Sequence, residues 1–281
     1  MQEYSTWARM QQEGSSGYKS TLYFREIPLK RTFVSGTLRG ESDMSRQRQQ
    51  RCLWAWHLSA LVYEWSYVQV AHQIDEDFLG YLGERLVGAV VADCGCGPGV
   101  VTEKLLQAGA SRVVAIDANA SMIERASIRL AKCVATGKVL VCHASYEDNT
   151  LPSIRQRSFA GRGFDLVLFK RSLYMPRQRA LLTLRQAAAA LCAQGMIVVA
   201  HPERSLWRYA FAPPFGLTSY TPFHLVNRAV SRMLEWSGLE EYTLYTYAEL
   251  LALLCEAVPG AQVKRLPSQQ RPYNLVALQV P

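Results

Sequence analysis

The run Val90-Val-Ala-Asp-Cys-Gly-Cys-Gly-Pro-Gly99 constrains the fold of this chain more than any other feature. Apolar residues lead into an acid and then into glycines at alternate positions, which is typical of a buried strand that ends in a tight loop. Residues 100–110 then show apolar positions at helical spacing and a helix-stopping glycine, Gly109. A strand, a glycine loop and a helix in this order offer free backbone N–H groups to a ligand, which can approach closely because side chains are missing.

A second apolar strand follows over residues 112–117 and ends in Asp117. A carboxylate at the tip of the second parallel strand can accept hydrogen bonds from two ribose hydroxyls. The glycine spacing is G-x-G-x-G, whereas a dinucleotide fingerprint requires G-x-G-x-x-G, and no second mononucleotide-binding half follows. These residues therefore indicate a nucleoside-containing cofactor and disfavour a nicotinamide dinucleotide.

This arrangement resembles the class I S-adenosylmethionine-dependent methyltransferases. The family's first motif is a hydrophobic strand, an acid and the same glycine spacing, and in its second motif a methionine often follows the acid. The matching pieces lie in family order at residues 90–99, 113–122, 164–169 and 195–200. The resemblance covers residues 85–203 well and the C-terminal part loosely, and it implies S-adenosyl-L-methionine as the cofactor.

The order of the elements predicts an α/β fold. Strands and helices alternate as a parallel sheet requires, and the resemblance implies a Rossmann-like, seven-stranded, mostly parallel sheet with helices on both faces. The predicted strands are 88–93, 112–117, 138–143, 164–169 and 195–200, and the predicted helices are 98–108, 120–134, 178–193 and 246–257. Two further strands, within 261–266 and 273–280, are expected to close the sheet as an antiparallel pair.

The chain is predicted to divide into an N-terminal lid with cap helices over 1–84 and a methyltransferase domain over 85–281. Residues 45–83 carry an apolar stripe at helical spacing, which favours a helix packed on the core. An aromatic insertion at about 204–245 is expected to complete a helical and aromatic cap above an apolar or aromatic acceptor. The alternative for this insertion is a packed extra layer or a dimer surface.

Composition narrows the class of protein. The chain has 281 residues, 49% of them hydrophobic and 19% charged, which suits one globular domain with additions. It contains no apolar run long enough for a membrane span, and its N-terminus shows no secretory signal. Seven scattered cysteines suit free thiols in a reducing compartment, so a cytoplasmic protein is expected. Cys94 and Cys96 lack partners at zinc spacing, and no metal site is predicted.

The resemblance implies which residues contact the cofactor. Asp93 corresponds to the motif acid that faces the amino-acid part of the cofactor, and holding the glycine loop is an alternative role for it. Asp117 is expected to bind the ribose hydroxyls, and a helix cap is its alternative. Family members often place an Asp after the third strand to contact adenine; none stands between Cys142 and Glu147, so Ser145 or a neighbouring backbone group takes this role. The predicted cofactor contacts are Asp93, Cys94, Gly95, Cys96, Gly97, Gly99, Asp117, Ala118, Met122, Ala144, Ser145, Tyr146, Phe169 and Lys170.

Residues 169–176, where the fourth strand ends, help to predict which class of acceptor is methylated. Methyltransferases that act on the exocyclic amines of bases carry Asn/Asp-Pro-Pro-Tyr/Phe at this point, and that motif is absent. A small-molecule acceptor with O- or C-methylation is therefore predicted. Tyr174 and His201 are the candidate catalytic residues, His201 as a base at the end of the fifth strand. Packing is the alternative role for Tyr174. Alignment alone can supply most of the acceleration, so the reaction does not require an acid or a base.

The net charge of +8 leaves further acceptor classes open. Basic side chains concentrate within residues 151–180: Arg155, Arg157, Arg162, Lys170, Arg171, Arg177 and Arg179. They indicate either an anionic acceptor or a solvated surface away from the site. RNA methylation, and a cofactor-binding role without methyl transfer (as a cyclase or a partner subunit), stay as alternatives, and the oligomeric state is left open.

Overall fold

The structure is a computed structural model, and it describes residues 75–145, 150–158, 162–202, 243, 245–266 and 273–280. The chain divides into two units, Met1–Ser42 and Asp43–Pro281, and every described residue belongs to the second. The predicted lid before residue 75, and the predicted insertion apart from residues 243 and 245, lie outside the described residues. The predicted domain division therefore stays a prediction.

One seven-stranded sheet organises the described residues. Its strands are β1 (Val90–Cys94), β2 (Arg112–Asp117), β3 (Val139–His143), β4 (Phe164–Lys170), β5 (Leu191–Pro202), β6 (Gln262–Arg265) and β7 (Tyr273–Gln279). The strand order is β3-β2-β1-β4-β5-β7-β6. Strands β1 to β5 pair in parallel, and β7 runs antiparallel to both β5 and β6. The predicted Rossmann-like sheet with its closing antiparallel pair is confirmed.

Helices cover both faces of this sheet. They are α1 (75–82), followed by a 3-10 turn at Gly83–Leu86, then α2 (Val100–Gln107), α3 (Ala120–Arg129), α4 (Ala131–Ala135), α5 (Thr150–Ser158), α6 (Arg177–Ala190) and α7 (Tyr247–Ala257). Phe78 of α1 and Leu105 of α2 are buried against one face. Leu151, Leu184 and Leu253 of α5, α6 and α7 are buried against the other. No helix in these described ranges is both long and apolar enough to cross a membrane.

The order of the strands determines where a ligand can bind. The chain first builds outward from β1 through β2 to β3, and then continues with β4 and β5 on the other side of β1. The loops after β1 and β4 therefore leave the sheet in opposite directions, and a crevice opens at the carboxyl ends of these two strands. The glycine loop after β1 and residues 170–176 after β4 both lie at this edge.

The sixth helix and the fifth strand differ from the prediction. A helix was expected over 178–193, but α6 ends at Ala190 and β5 begins at Leu191. Leu191 pairs with Phe164 of β4, and Gln194 adopts a left-handed φ of 63° within the strand. Pairing with β4 is a contact between residues distant in sequence, and it outweighs the local helical preference of this segment.

Candidate active site

The glycine loop turns tightly over the end of β2. The N–H groups of Gly95 and Cys96 both donate to the carbonyl oxygen of Ile116, at 2.8 and 3.0 Å. Gly95, Gly97 and Gly99 have φ angles of 75°, 55° and 81°, a region that favours glycine. A Cβ atom on Gly95 would lie 2.4 Å from the Cβ of Ser172, in the loop after β4. The loop therefore requires glycine both for its conformation and for the close approach of its neighbour.

Asp93 holds this loop to the helix that follows it. Its carboxylate is buried and accepts a hydrogen bond from Thr102 Oγ1 of α2 at 2.7 Å. Burial raises the pKa of Asp93 to about 7, against the hydrogen bond from Thr102, and the nearby charge of Asp117 adds to the rise. This geometry supports the loop-holding role that the sequence left open beside cofactor binding.

Asp117 lies at the tip of β2 and is bound to the glycine loop. Its Oδ2 accepts the N–H of Gly97 at 2.9 Å, and its Oδ1 accepts the N–H of Asn119 at 2.8 Å. Burial raises the pKa of Asp117, and these two hydrogen bonds and His143 oppose the rise. A carboxylate has about four acceptor positions, so roughly two of them stay available to a ligand after these bonds.

Asn119 is a site residue that the sequence analysis missed. Its Oδ1 caps α3 by accepting the N–H groups of Ser121 at 2.9 Å and Met122 at 3.3 Å. Its Nδ2 is buried and has no hydrogen-bond partner in the part of the chain that the structure describes. An Asn two residues after the second-strand acid was the available signal, but a helix cap explained it equally well. Met122 is buried in the first turn of the same helix.

The end of β3 completes this side of the site. The N–H of Ala144 donates to the carbonyl oxygen of Asp117 at 3.1 Å, so the chain after β3 stays beside the tip of β2. Ala144 and Ser145 are half-buried, and Ala118 is exposed. Tyr146 lies outside the described residues. The structure thus brings Ala118, Ala144 and Ser145 to the edge of the sheet where the resemblance expects adenine contacts.

Four of the predicted cofactor contacts point their side chains into the protein. Cys94 and Phe169 are fully buried, and Cys96 and Lys170 are at most 5% exposed. Burial raises the pKa of both thiols well above the ordinary value. These residues can therefore offer a ligand mainly their backbone groups. No three His, Cys, Asp or Glu side chains within the described ranges cluster as a metal ion would require.

The two candidate catalytic residues come together at the ends of β4 and β5. The ring centroids of Tyr174 and His201 are 5.4 Å apart, and those of His201 and Tyr245 are 5.6 Å apart. The hydroxyl of Tyr245 donates to the carbonyl oxygen of Met175 at 2.6 Å, which fixes this third ring. Tyr245 was not predicted as a site residue, because its approach depends on a contact between distant segments. We call Tyr174, His201 and Tyr245 the ring cluster.

The hydrogen bonds of His201 define its protonation. The backbone N–H of Tyr245 donates to Nε2 at 3.0 Å, so Nε2 is the acceptor and the imidazole hydrogen is on Nδ1. Nδ1 is buried, with no hydrogen-bond partner among the described residues. Burial lowers the pKa of His201 to about 3. His201 is therefore a neutral imidazole with one unused donor.

Much of the basic charge within residues 151–180 is already engaged in the protein. Arg155 donates to the carbonyl oxygen of Ala189 at 2.8 Å, and Arg177 pairs with Glu256. Arg162 pairs with Asp165 at 3.1 Å, near the amino end of β4 and thus at the opposite edge of the sheet. The ammonium of Lys170 pairs with Asp75 of α1. These contacts favour the solvated or structural interpretation of the basic segment.

Known proteins share this architecture. Residues 91–195 match the family model described as a methyltransferase domain. An O-methyltransferase family protein from Burkholderia thailandensis aligns with a TM-score of 0.58 and 16% identity, over 83% of this chain and 62% of that one. The magnesium protoporphyrin IX methyltransferase ChlM from Synechocystis PCC 6803, solved with bound SAM, aligns with a TM-score of 0.51 and 16% identity, over 76% of this chain and 82% of that one. The S-adenosylmethionine-dependent methyltransferase SibL aligns with a TM-score of 0.51 and 20% identity, over 74% of this chain and 54% of that one.

No curated protein matches the chain in sequence. The chain spans 54% of the length of SibL and 62% of that of the Burkholderia protein. At these identities the structural likeness establishes the fold.

Proposed function

We propose that residues 91–195, which match the methyltransferase-domain model, form a class I S-adenosylmethionine-dependent methyltransferase, and that this chain methylates an oxygen or carbon atom of a small molecule with an apolar or aromatic body. The observation that carries this proposal is the ring cluster at the carboxyl ends of β4 and β5. It lies at the edge of the sheet that also bears the glycine loop and Asp117, where a ligand of this fold binds.

The described residues fit the cofactor of this family. The left-handed glycine loop leaves no side chain at Gly95, Asp117 keeps acceptor positions for two hydroxyls, and Asn119 Nδ2 is an unused donor beside it. When bound, S-adenosylmethionine supplies an electrophilic methyl group on a sulfonium centre. We assign the ribose to Asp117 and the adenine side to Ala118, Met122, Ala144, Ser145 and Tyr146. The backbone of Asp93, Cys94, Gly95, Cys96, Gly97, Gly99, Phe169 and Lys170 borders the amino-acid part.

In this proposal His201 is a hydrogen-bond donor. A base must have a free lone pair, but Nε2 already accepts the N–H of Tyr245 and Nδ1 carries the hydrogen. The unused Nδ1–H can donate to an oxygen of the acceptor and fix its orientation. Orientation of this kind contributes to the rate without any proton transfer. The acceptor must then be nucleophilic without a protein base, as is a phenol or β-dicarbonyl compound that has already lost its proton to solvent and reacts as the phenolate or enolate.

The ring cluster favours an acceptor with a flat apolar part. Tyr174 is the half-buried ring of the cluster, whereas the rings of His201 and Tyr245 are buried behind it. An acceptor can therefore reach the uncharged ring of Tyr174, which is tilted by 47° to that of His201. Aromatic rings bind other aromatic groups in such tilted or offset arrangements. The engaged arginines and the buried Lys170 favour an uncharged or singly charged acceptor over a polyanion.

The test is a screen for transferred methyl groups, in which S-adenosylhomocysteine and methylated product are both quantified by mass spectrometry. The panel contains phenols, β-dicarbonyl compounds, aromatic carboxylic acids, amines and a mixed RNA pool. We expect turnover with phenols or β-dicarbonyl compounds, and Tyr174→Ala should raise the KM of the accepted compound more than it lowers kcat. Turnover with RNA alone, or with amines alone, would contradict the proposal.

A further inference from the structure

Asp75 and Lys170 form an ion pair buried beneath the end of β4. The side chains are 0% and 3% exposed, and the Lys170 ammonium contacts Oδ1 of Asp75. Lys104 of α2 binds the other carboxylate oxygen, Oδ2, at 2.7 Å. One carboxylate of α1 therefore binds ammonium groups from α2 and from β4. Burying such a pair costs desolvation free energy, and the pair contributes little net stability. Its main effect is therefore to fix the positions of the two segments that it joins.

The backbone of Lys170 lies next to the start of the glycine loop, in the proposed cofactor site. Phe169 pairs with Cys94 of β1, so the next residue, Lys170, stands beside Gly95, where the glycine loop begins. On its other side Lys170 pairs with Ala200 of β5. Its side chain leaves this position on the face that carries α1, where the ammonium lies 5.9 Å from the ring centre of Phe78.

The residue after Lys170 has a backbone conformation that needs support from its surroundings. Arg171 has a φ of 54°, a left-handed conformation that non-glycine residues seldom adopt and that persists where the surroundings impose it. Its N–H donates to the carbonyl oxygen of Ala200 at 2.9 Å. Ser172 then packs on Gly95 so closely that a Cβ there would lie 2.4 Å from its own. A displacement of Lys170 would thus move the segment that overlies the glycine loop.

We propose that Asp75 is a positioning residue for cofactor binding: by holding the Lys170 ammonium from α1, it fixes the backbone of residues 170–172 against the glycine loop. Cofactor affinity is thereby coupled to the placement of α1, which lies ahead of the methyltransferase core in the chain. The inference rests on the proposed position of the cofactor's amino-acid part beside Lys170. It does not depend on the class of acceptor.

The test compares stability with cofactor affinity in four variants: Asp75→Asn, Lys170→Met, the double variant that combines them, and Lys104→Met as the matched control. Asp75→Asn takes the carboxylate charge away from the buried Lys170 ammonium, whereas Lys170→Met leaves Asp75 paired with Lys104. Both single variants should lower the Tm and the affinity for S-adenosylhomocysteine. The double variant removes both charges and should recover most of the Tm. We expect it to keep a loss of affinity of about tenfold or more, whereas Lys104→Met should change the affinity by less than about threefold.

Calorimetric titration with S-adenosylhomocysteine gives the affinity, and amide hydrogen exchange reports the backbone directly. We expect the Arg171 amide, which donates to Ala200, to exchange faster in the double variant than in Lys104→Met. Recovery of both the Tm and the affinity in the double variant would overturn the proposal, because the pair would then be only structural. Titration needs no acceptor, so an incorrect acceptor class would leave this result intact.

Discussion

The two halves of the site differ in the groups that form them, backbone groups in one and aromatic side chains in the other. The half formed by β1, β2 and the glycine loop uses backbone conformation and one carboxylate, Asp117, which accepts two backbone N–H groups. The half at the ends of β4 and β5 uses three aromatic side chains whose contacts join residues 174, 201 and 245. In the proposed site the cofactor is therefore held mainly by the main chain, whereas the acceptor contacts depend on side chains. Variants should therefore separate cofactor affinity from turnover.

The largest expected effect is that of Gly95→Ala. The new Cβ would overlap the Cβ of Ser172 at 2.4 Å, and the φ of 75° adds strain. We expect the affinity for S-adenosylhomocysteine, measured by calorimetry, to fall by more than about a hundredfold because the loop must move. Gly137→Ala is the matched control, since its φ is 71° but no atom lies within 4 Å of the new Cβ. It should cost about 1 kcal/mol of stability and leave the affinity unchanged; equal losses in both variants would contradict the account.

A somewhat smaller effect is expected for Asp117→Asn. The amide keeps the shape but loses the charge, and its NH2 group cannot accept the backbone N–H of Gly97 or Asn119 that one carboxylate oxygen accepts. The hydrogen bonds to two ribose hydroxyls and one bond to the loop therefore weaken together. Affinity for S-adenosylhomocysteine should fall by about a hundredfold, or about 2.7 kcal/mol. Asp165→Asn serves as the control, because Asp165 accepts the N–H of Val90 at the opposite edge of the sheet. It should lower the Tm without changing the affinity. An unchanged affinity in Asp117→Asn would exclude Asp117 as the ribose ligand.

The acceptor half is tested by His201→Phe and His201→Gln. The phenyl ring removes the Nδ1–H donor, and kcat should fall by about tenfold while the affinity for S-adenosylhomocysteine stays the same. The glutamine amide can both accept and donate, so His201→Gln should recover part of that loss. Initial rates with the compound found in the acceptor screen provide the measurement. A loss of cofactor affinity in both variants would mean that the two halves are not separable.

The pH dependence of kcat and of the free energy of unfolding tests whether His201 is a neutral donor or a titrating base. Burial lowers the pKa of His201 to about 3, so the folded protein keeps a neutral imidazole and kcat should show no inflection from this group between about pH 5 and 8. The unfolded chain binds a proton at this histidine near its ordinary pKa of about 6.5. The free energy of unfolding should therefore decrease as the pH falls from about 6.5 towards 3, and His201→Phe should remove that contribution. A kcat inflection near pH 6.5 that disappears in His201→Phe would instead show a titrating base.

The sequence predicted the half of the site that depends on local backbone conformation. Gly95, Gly97 and Gly99 could be recognised because a left-handed loop next to a strand and a helix favours glycine at each position. The strand over 112–117 was predicted with its bounds, because a continuous apolar run that ends in an acid is a local pattern. The ring cluster brings together residues separated by many positions, and no local pattern reports such a contact.

Asp75 and α5 are two further features that could not be predicted from the sequence. Asp75 lies within the helix predicted over 45–83, and only the fold shows that its carboxylate is buried between Lys104 and Lys170. The α5 segment, Thr150–Ser158, contains a proline near its start and has little apolar periodicity, so no helix was predicted there. Its Leu151 is nevertheless fully buried against the sheet. In both cases tertiary packing supplied the deciding contact.

The most direct test of the separation between the two halves is calorimetric titration of S-adenosylhomocysteine into the wild-type chain, Asp117→Asn and His201→Phe. We expect binding to the wild type and to His201→Phe with the same affinity, and a loss of about a hundredfold in Asp117→Asn. Absence of binding to the wild type, or equal losses in the two variants, would contradict this expectation.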